Sequence, residues 1–325
     1  MSFAVGIVLS FTAACAWGSS LVIFKVGVRN TDPLNATYIK GLIAIPLLVL
    51  IAFLSFGSSS LLQIFKPPNH YWLIGAVITI ALGDFFSLFA LKKINVSISQ
   101  PITAIYPLVT NLVLLFTGKE FINWLIIVGT LIITTGVIIV SYFSQKDEEV
   151  NTNDNSLEEK ESLQEEGNEN RRNMISGIIL SLLAAIFWGL TIFFTKLILD
   201  DPQVEIVSMM AVRNGLMVVL AFIFALSRAL IKRKENGFDI FAPKKDALFL
   251  SIGGALAWCV GGISFFTAVR KIGAGISTPL SSISPLIVLF LGVFLLKEKM
   301  TKKQLIGILF IFAGSLLLSL KDLIL

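Results

Sequence analysis

The chain states nearly the same pattern twice. Sliding residues 83–141 forward by 178 positions sets Gly83 on Gly261, Ala90 on Ala268, Lys93-Ile94 on Lys271-Ile272, Pro101 on Pro279, Pro107-Leu108 on Pro285-Leu286 and Lys119-Glu120 on Lys297-Glu298. Gly129 and Gly136 fall on Gly307 and Gly314 in the same register. With an offset of 171, Trp17-Gly18 superposes on Trp188-Gly189 and Lys25 on Lys196. Register held over that distance makes each half one structural unit, so whatever one half folds into, the other folds into as well.

The solvent of these units is lipid. The chain is 55% hydrophobic and only 14% charged, with a mean hydropathy of +0.86, whereas soluble domains are near a quarter charged. A helix of about 20 mostly apolar residues crosses the hydrocarbon layer. Ten such runs are predicted, at 3–26, 34–56, 71–91, 96–116, 122–143, 174–198, 204–228, 246–269, 275–296 and 302–320. Strictly alternating barrel-strand patterns are absent, and a backbone in lipid must satisfy its own hydrogen bonds, so the predicted fold class is all-α integral membrane. The run from Phe3 has no basic flank or Ala-x-Ala site and reads as a first membrane helix rather than a cleaved signal. Cys15 and Cys259 lie inside apolar runs with no metal or redox spacing, and read as small core residues.

Residues 144–173 break the pattern with ten acids, four bases and three large apolar residues. Such a segment buries too little apolar surface to offset its ordering entropy, so a flexible acidic linker is predicted there. It divides the chain into a first five-helix repeat at 1–143 and a second at 174–325. Five is odd, so the second repeat enters the membrane from the opposite face, giving an inverted repeat with its pseudo-two-fold axis in the membrane plane, an arrangement associated with transport. The basic pI of about 9.1 comes from loop lysines, with no patch interleaved with exposed aromatics that would suit nucleic acid. Those lysines concentrate in loops after odd-numbered spans, which by the positive-inside rule places both termini outside.

A charge at the centre of a membrane helix costs about 2.5–3.5 kcal/mol on insertion scales and so requires a reason. Asp84, in ITIALGDFFSLFALKK, sits near mid-depth, and its repeat partner is Gly262. It reads either as a proton-titrating group or contact to a substrate ammonium, or as a buried acid tying helices together. Lys40 in YIKGLIA and Arg213 in AVRNGLM superpose in the repeat. Facing each other across a central cavity, they would suit a carboxylate or phosphate; the alternative is snorkelling to the interface. Lys25 and Lys196 end the first helix of each unit, where the dipole favours a cation.

Trp17 and Trp188 lie deep in their helices, each followed by glycine, and Trp258 lies among Gly253, Gly254, Gly261 and Gly262. These three read as cavity wall or bundle core. Pro101 with Pro107 and Pro279 with Pro285 interrupt the fourth and ninth runs at matching depth, in SISQPITAIYPLVTN and STPLSSISP. Proline removes a donor and displaces the carbonyl four residues back, so both helices are predicted to kink. The prolines are candidate hinge or gating residues. Tyr106, Asn111, Ser281 and Ser284 are candidate substrate-binding groups beside them, the alternative being Ser/Thr glue between helices. Gly129, Gly136, Gly307 and Gly314 read as close-packing positions on a dimer surface or within a monomer.

The two halves resemble EamA-type domains of the drug/metabolite transporter superfamily, through WGSSLVIFK and WGLTIFFTK and through the stretches from Ala90 to Glu120 and Ala268 to Gly314. The resemblance implies a ten-helix metabolite transporter with a central cavity, often an exporter of amino acids or related solutes, in the cell membrane with both termini cytoplasmic. It also implies structural roles for Glu120 and Glu298, and Arg213 matches the arginine usual in the second helix, whereas Lys40 and Asp84 depart from the pattern. No Walker A loop accompanies these features, and the sole histidine, His70, lies in a Pro-rich loop. The expectation is therefore a secondary transporter, not an enzyme, without cofactor or metal. Proton coupling through Asp84 is one option, and a carrier of lipid- or nucleotide-linked sugars is the second reading. Replacing 144–173 by a neutral linker of equal reach is expected to leave a folded, monodisperse protein in detergent; aggregation on size exclusion would contradict the linker reading.

Overall fold

The computed structural model describes residues 2–94, 96–152, 162–236, 242–296 and 302–319. All regular elements among them are helical: α1 (Ser2–Gly27), α2 (Pro33–Ile39), α3 (Gly41–Phe56), α4 (Asn69–Lys93), α5 (Val96–Thr103), α6 (Tyr106–Thr117), α7 (Trp124–Thr152) and α8 (Ser162–Leu199). Then follow α9 (Ile206–Asn236), α10 (Lys244–Ala255), a π-helical turn at Leu256–Gly262, α11 (Ile263–Ile272), α12 (Ala274–Ser281), α13 (Ser284–Leu296) and α14 (Lys302–Ser319). Seven helical stretches are long and apolar enough to cross a membrane: Phe3–Gly27, Pro33–Phe56, Asn69–Lys93, Arg171–Leu199, Ile206–Ile231, Lys244–Ile272 and Ala274–Leu291. Three shorter apolar helices, Tyr106–Thr117, Trp124–Ile139 and Leu305–Leu318, stand where the other predicted runs lie.

Contacts between the halves are reciprocal. α1 packs on α10 and α11, and its repeat equivalent α8 packs on α4; α3 meets α9, α6 meets α12, and α7 meets α14. The glycines show the same reciprocity at atomic scale. A Cβ on Gly83 would lie 2.5 Å from Trp188 Cδ1, and one on Gly261 would lie 2.6 Å from Trp17 Cδ1. A Cβ on Gly18 would lie 2.7 Å from the Ser284 carbonyl oxygen, and one on Gly189 would lie 2.9 Å from that of Tyr106. An exchange in which a touches b′ while a′ touches b is the signature of a two-fold relation between the repeats. Small residues at such crossings let helices approach where lipid gives no hydrophobic drive.

The paired prolines break their helices outright rather than kinking them. α5 stops at Thr103 and α6 starts at Tyr106; α12 stops at Ser281 and α13 starts at Ser284. Pro107 and Pro285 have no N–H to give the carbonyls of Thr103 and Ser281, so the ladder cannot continue across either point. In the second repeat, the Ser281 and Ser282 hydroxyls donate to the carbonyls of Thr278 (3.0 Å) and Pro279 (2.8 Å). The second span is also interrupted, at Lys40 between α2 and α3. There the Ser251 hydroxyl donates to the Ile39 carbonyl at 3.1 Å. Interruptions of the helical hydrogen-bond ladder thus occur where neighbouring side chains receive the backbone.

Several sequence expectations are corrected. Cys15 is exposed on the outer surface rather than buried in the core. The glycines of the fifth and tenth runs form an intrachain crossing of α7 and α14, which accounts for them without a dimer surface. A Cβ on Gly136 would meet Gly307 O at 2.7 Å, and one on Gly314 would meet Gly129 O at 2.9 Å. Lys25 caps another helix rather than its own: Nζ donates to the carbonyls of Leu91 (2.5 Å) and Ile94 (3.1 Å) at the end of α4. Glu120 does lie at a helix end, accepting from the N–H groups of Ala274 and Gly275 at 2.9 and 3.0 Å; Glu298 lies outside the described residues. The described flanks of the acidic segment continue α7 and α8 as helix, and 153–161 lies outside the described residues.

Gly136→Val and Gly314→Val are expected to lower stability by about 1–3 kcal/mol each through overpacking. Gly215→Ala, whose nearest neighbour would be Ile45 Cγ2 at 3.8 Å, is expected to be neutral or to gain about 0.5–1 kcal/mol from helix propensity. Thermal unfolding in detergent checks both; equal effects at the three positions would contradict the α7–α14 crossing.

Candidate functional site

Where the halves meet, the broken and interrupted helices enclose a cavity of about 150 Å³, the size of an engineered cavity known to take benzene. Trp17, Lys40, Asp84, Tyr106, Trp188, Arg213, Trp258 and Ser284 line it, so the fold brings eight of the ten candidate binding residues to one wall. Asn111 and Ser281 are not among the lining residues. Asn111 Nδ2 donates to Thr130 Oγ1 (3.0 Å) and to the Gly275 carbonyl (3.3 Å), tying α6 to α7 and α12. Ser281 shares a hydrogen bond of 2.9 Å with the Tyr106 hydroxyl, which joins the break between α5 and α6 to the one after α12. The four prolines flank these breaks, with Pro101 in α5 and Pro279 in α12.

The three charged groups on the wall are buried: Lys40 is 4% exposed, Asp84 6% and Arg213 3%. They are not equivalent. Lys40 Nζ makes a direct ion pair with Asp84 Oδ2 and lies 5.4 Å from the Trp258 ring centroid and 5.6 Å from that of Phe24. Asp84 Oδ1 also accepts from Trp188 Nε1 at 3.0 Å. Arg213 makes no ion pair among the described residues. Nε and Nη2 donate to Asn214 Oδ1 at 3.0 and 2.9 Å, Nη1 donates to Thr195 Oγ1 at 2.8 Å, and its Cζ stands 4.8 Å from the Phe266 ring centroid. A guanidinium carries five N–H donors, so three are engaged and two remain, on a buried cation facing a cavity.

The two indole partners explain why Asp84 has no counterpart. Trp188 gives its N–H to the Asp84 carboxylate, whereas Trp17 gives its N–H to the Ala257 carbonyl at 3.0 Å. Ala257 lies in the π-helical turn Leu256–Gly262, whose repeat equivalent in α4 is ordinary α-helix. A π turn shifts the backbone ladder by one residue and is a recurrent feature of functional sites. In one half the backbone supplies the acceptor, and in the other a carboxylate does. Sequence reasoning missed Thr195 and Asn214, which hold Arg213, and Phe24, which lies under Lys40. The repeat itself carries that signal, because Phe24 and Thr195 superpose at the offset of 171 and each contacts the second-helix cation of its own half.

Residues 4–142 and 175–320 match the model of a family described as the EamA-like transporter family. An uncharacterised transporter from Archaeoglobus fulgidus is 25% identical over 98% of this chain and 99% of its own. A protein from Bacillus anthracis named "Probable glucose uptake protein GlcU" is 24% identical over 97% of this chain and 98% of its own. An uncharacterised protein from Methanocaldococcus jannaschii is 33% identical over 150 residues, its full length and 46% of this chain. A crystal structure of a protein 16% identical in sequence superposes over 96% of this chain and 95% of its own with a TM-score of 0.65, which shows the fold.

Breaking a buried pair from one side leaves a charge uncompensated, at a cost of about 3–5 kcal/mol, whereas replacing both members by apolar groups is often neutral. Asp84→Ala is therefore expected to lower the unfolding midpoint markedly, and Lys40→Met with Asp84→Leu to recover most of the loss. A double variant no more stable than Asp84→Ala would contradict the pairing.

Proposed function

The chain belongs to the EamA-like transporter family, a multi-pass membrane transporter rather than an enzyme, and from that premise we propose that it carries a small organic anion by alternating access. The observation that carries this reading is Arg213, a buried guanidinium on the cavity wall with two unfilled donors and no carboxylate within hydrogen-bonding distance among the described residues, Asp84 acting on it only at longer range. A carboxylate or a similar oxyanion fills those donors, and the bond is charge-assisted. Trp17, Trp188, Trp258, Phe265 and Phe266 give the rest of the wall an apolar, aromatic character that suits a compact hydrocarbon body. The small volume favours a metabolite over the nucleotide- or lipid-linked sugars of the second reading. Glucose, named for the Bacillus relative, is neutral and leaves the guanidinium unmatched. Asp84 enters this reading as the partner of Lys40 and Trp188 rather than as a proton carrier.

The halves supply the two gates. Rocking of one repeat against the other opens either face around a fixed midplane site, and the Tyr106–Ser281 hydrogen bond between the helix breaks is one contact that such a motion exchanges.

Benzenesulfonate and benzenesulfonamide are an anionic and a neutral probe of nearly one shape. Titration followed by the fluorescence of the cavity tryptophans is expected to show tighter binding of benzenesulfonate. Arg213→Gln is expected to cost it about 10- to 100-fold, since hydrogen bonds to charged groups contribute about 1.5–3 kcal/mol, while leaving benzenesulfonamide little changed. Equal losses for both probes would return Arg213 to a structural role.

A further inference from the structure

Net charge on the cavity wall bears on how the carrier moves as well as on what it holds. Among the described residues, Lys40, Asp84 and Arg213 are the ionised side chains lining the cavity, and each is less than a tenth exposed. Asp84 neutralises Lys40, while the Thr195, Asn214 and Phe266 partners of Arg213 are all neutral. The empty cavity therefore carries one uncompensated positive charge, and a bound monoanion cancels it. Alternating access passes through an occluded state, in which both faces close and bulk water no longer solvates the wall. Closing on a lone charge is opposed by its desolvation; closing on a matched, hydrogen-bonded pair is much less so. The repeat accentuates this, because the equivalent of Asp84 is Gly262 and supplies no second carboxylate for Arg213.

We infer that the protein is an obligatory, electroneutral exchanger of small monoanions. The loaded carrier reorients in either direction, and the empty carrier is retained on the face where it released its cargo. This rests on the anion reading of Arg213 and adds the mode of transport to it. Asp84 sets the valence: by cancelling Lys40 it leaves a cavity that one negative charge, rather than two, makes neutral.

Two measurements on the full chain in proteoliposomes test the exchange separately from the cargo. In the first, labelled benzenesulfonate, which does not leak as a neutral acid, leaves preloaded vesicles. Its efflux is expected to rise at least about tenfold, the effect of about 1.4 kcal/mol in a barrier, when unlabelled benzenesulfonate is present outside. Equal efflux into probe-free medium overturns the exchange and leaves the anion site standing. In the second, no cargo is present. Ser284→Cys, on the cavity wall, is introduced with Cys15→Ala and Cys259→Ala and labelled from either face with an impermeant thiol reagent in chloride-free zwitterionic buffer. Labelling of the empty carrier from each face is expected to stop at the fraction of carriers open to that face, the two fractions together accounting for the whole population, because the empty states do not interconvert. Adding Arg213→Gln is expected to let either face label the whole population, and Arg213→Lys, which keeps the charge, to preserve the two plateaus. Complete labelling of the empty parent from both faces, or plateaus unchanged with Arg213→Gln, overturn the exchange. Absence of benzenesulfonate flux in both media counts against the anion reading, and the labelling then decides the exchange alone.

Discussion

Hydrocarbon cannot hydrogen-bond, and the architecture of this chain follows from that constraint. Each place where the described backbone leaves the α-helix inside the membrane adjoins the cavity or is received by a neighbouring side chain. The breaks after Thr103 and Ser281 meet through Tyr106 and Ser281. The interruption at Lys40 is received by Ser251, and the π turn hands the Ala257 carbonyl to Trp17. Irregular backbone is thereby confined to the one region where the repeats face each other, and the same irregularities shape the site.

Two-fold symmetry supplies the frame and its local failures supply the chemistry. The reciprocal tryptophan-on-glycine contacts of Trp17 with Gly261 and Trp188 with Gly83 hold the frame. Around them, equivalent positions diverge: Lys40 against Arg213, Asp84 against Gly262, Phe24 against Thr195, Tyr106 against Ser284. The outcome is one cation in direct contact with a carboxylate and another whose hydrogen-bond partners are all neutral. A strictly symmetric pair of halves would have produced two equal sites, and here the charges distinguish them.

Much of this arrangement is legible in the chain's own pattern. The lipid solvent, the duplicated unit, the mid-depth of Asp84 and the repeat relation of Lys40 to Arg213 all follow from period, composition and repeat register. The outright helix breaks were less legible, because a proline pair is compatible with a kink until the missing donors are traced to the carbonyls of Thr103 and Ser281. Asn111 departs from its expected place because a polar residue near a proline break does not reveal which helix it faces; it binds Thr130 and Gly275 instead. The π turn has no compositional signature apart from its glycines. The Lys40–Asp84 pair was undetermined because the residues are 44 positions apart on separate helices, and only packing decides which cation the carboxylate takes.

The most direct test of a neutralised lysine beside an unmatched arginine is an experimental structure of the protein soaked with 4-bromobenzenesulfonate, whose bromine marks the ligand by anomalous scattering. The account requires the sulfonate oxygens to lie within hydrogen-bonding distance of Arg213 Nη1 and Nη2, with the bromine among the cavity aromatics and the Lys40–Asp84 pair intact. A sulfonate bound to Lys40 with Asp84 displaced, or bromine density only outside the cavity, would contradict it.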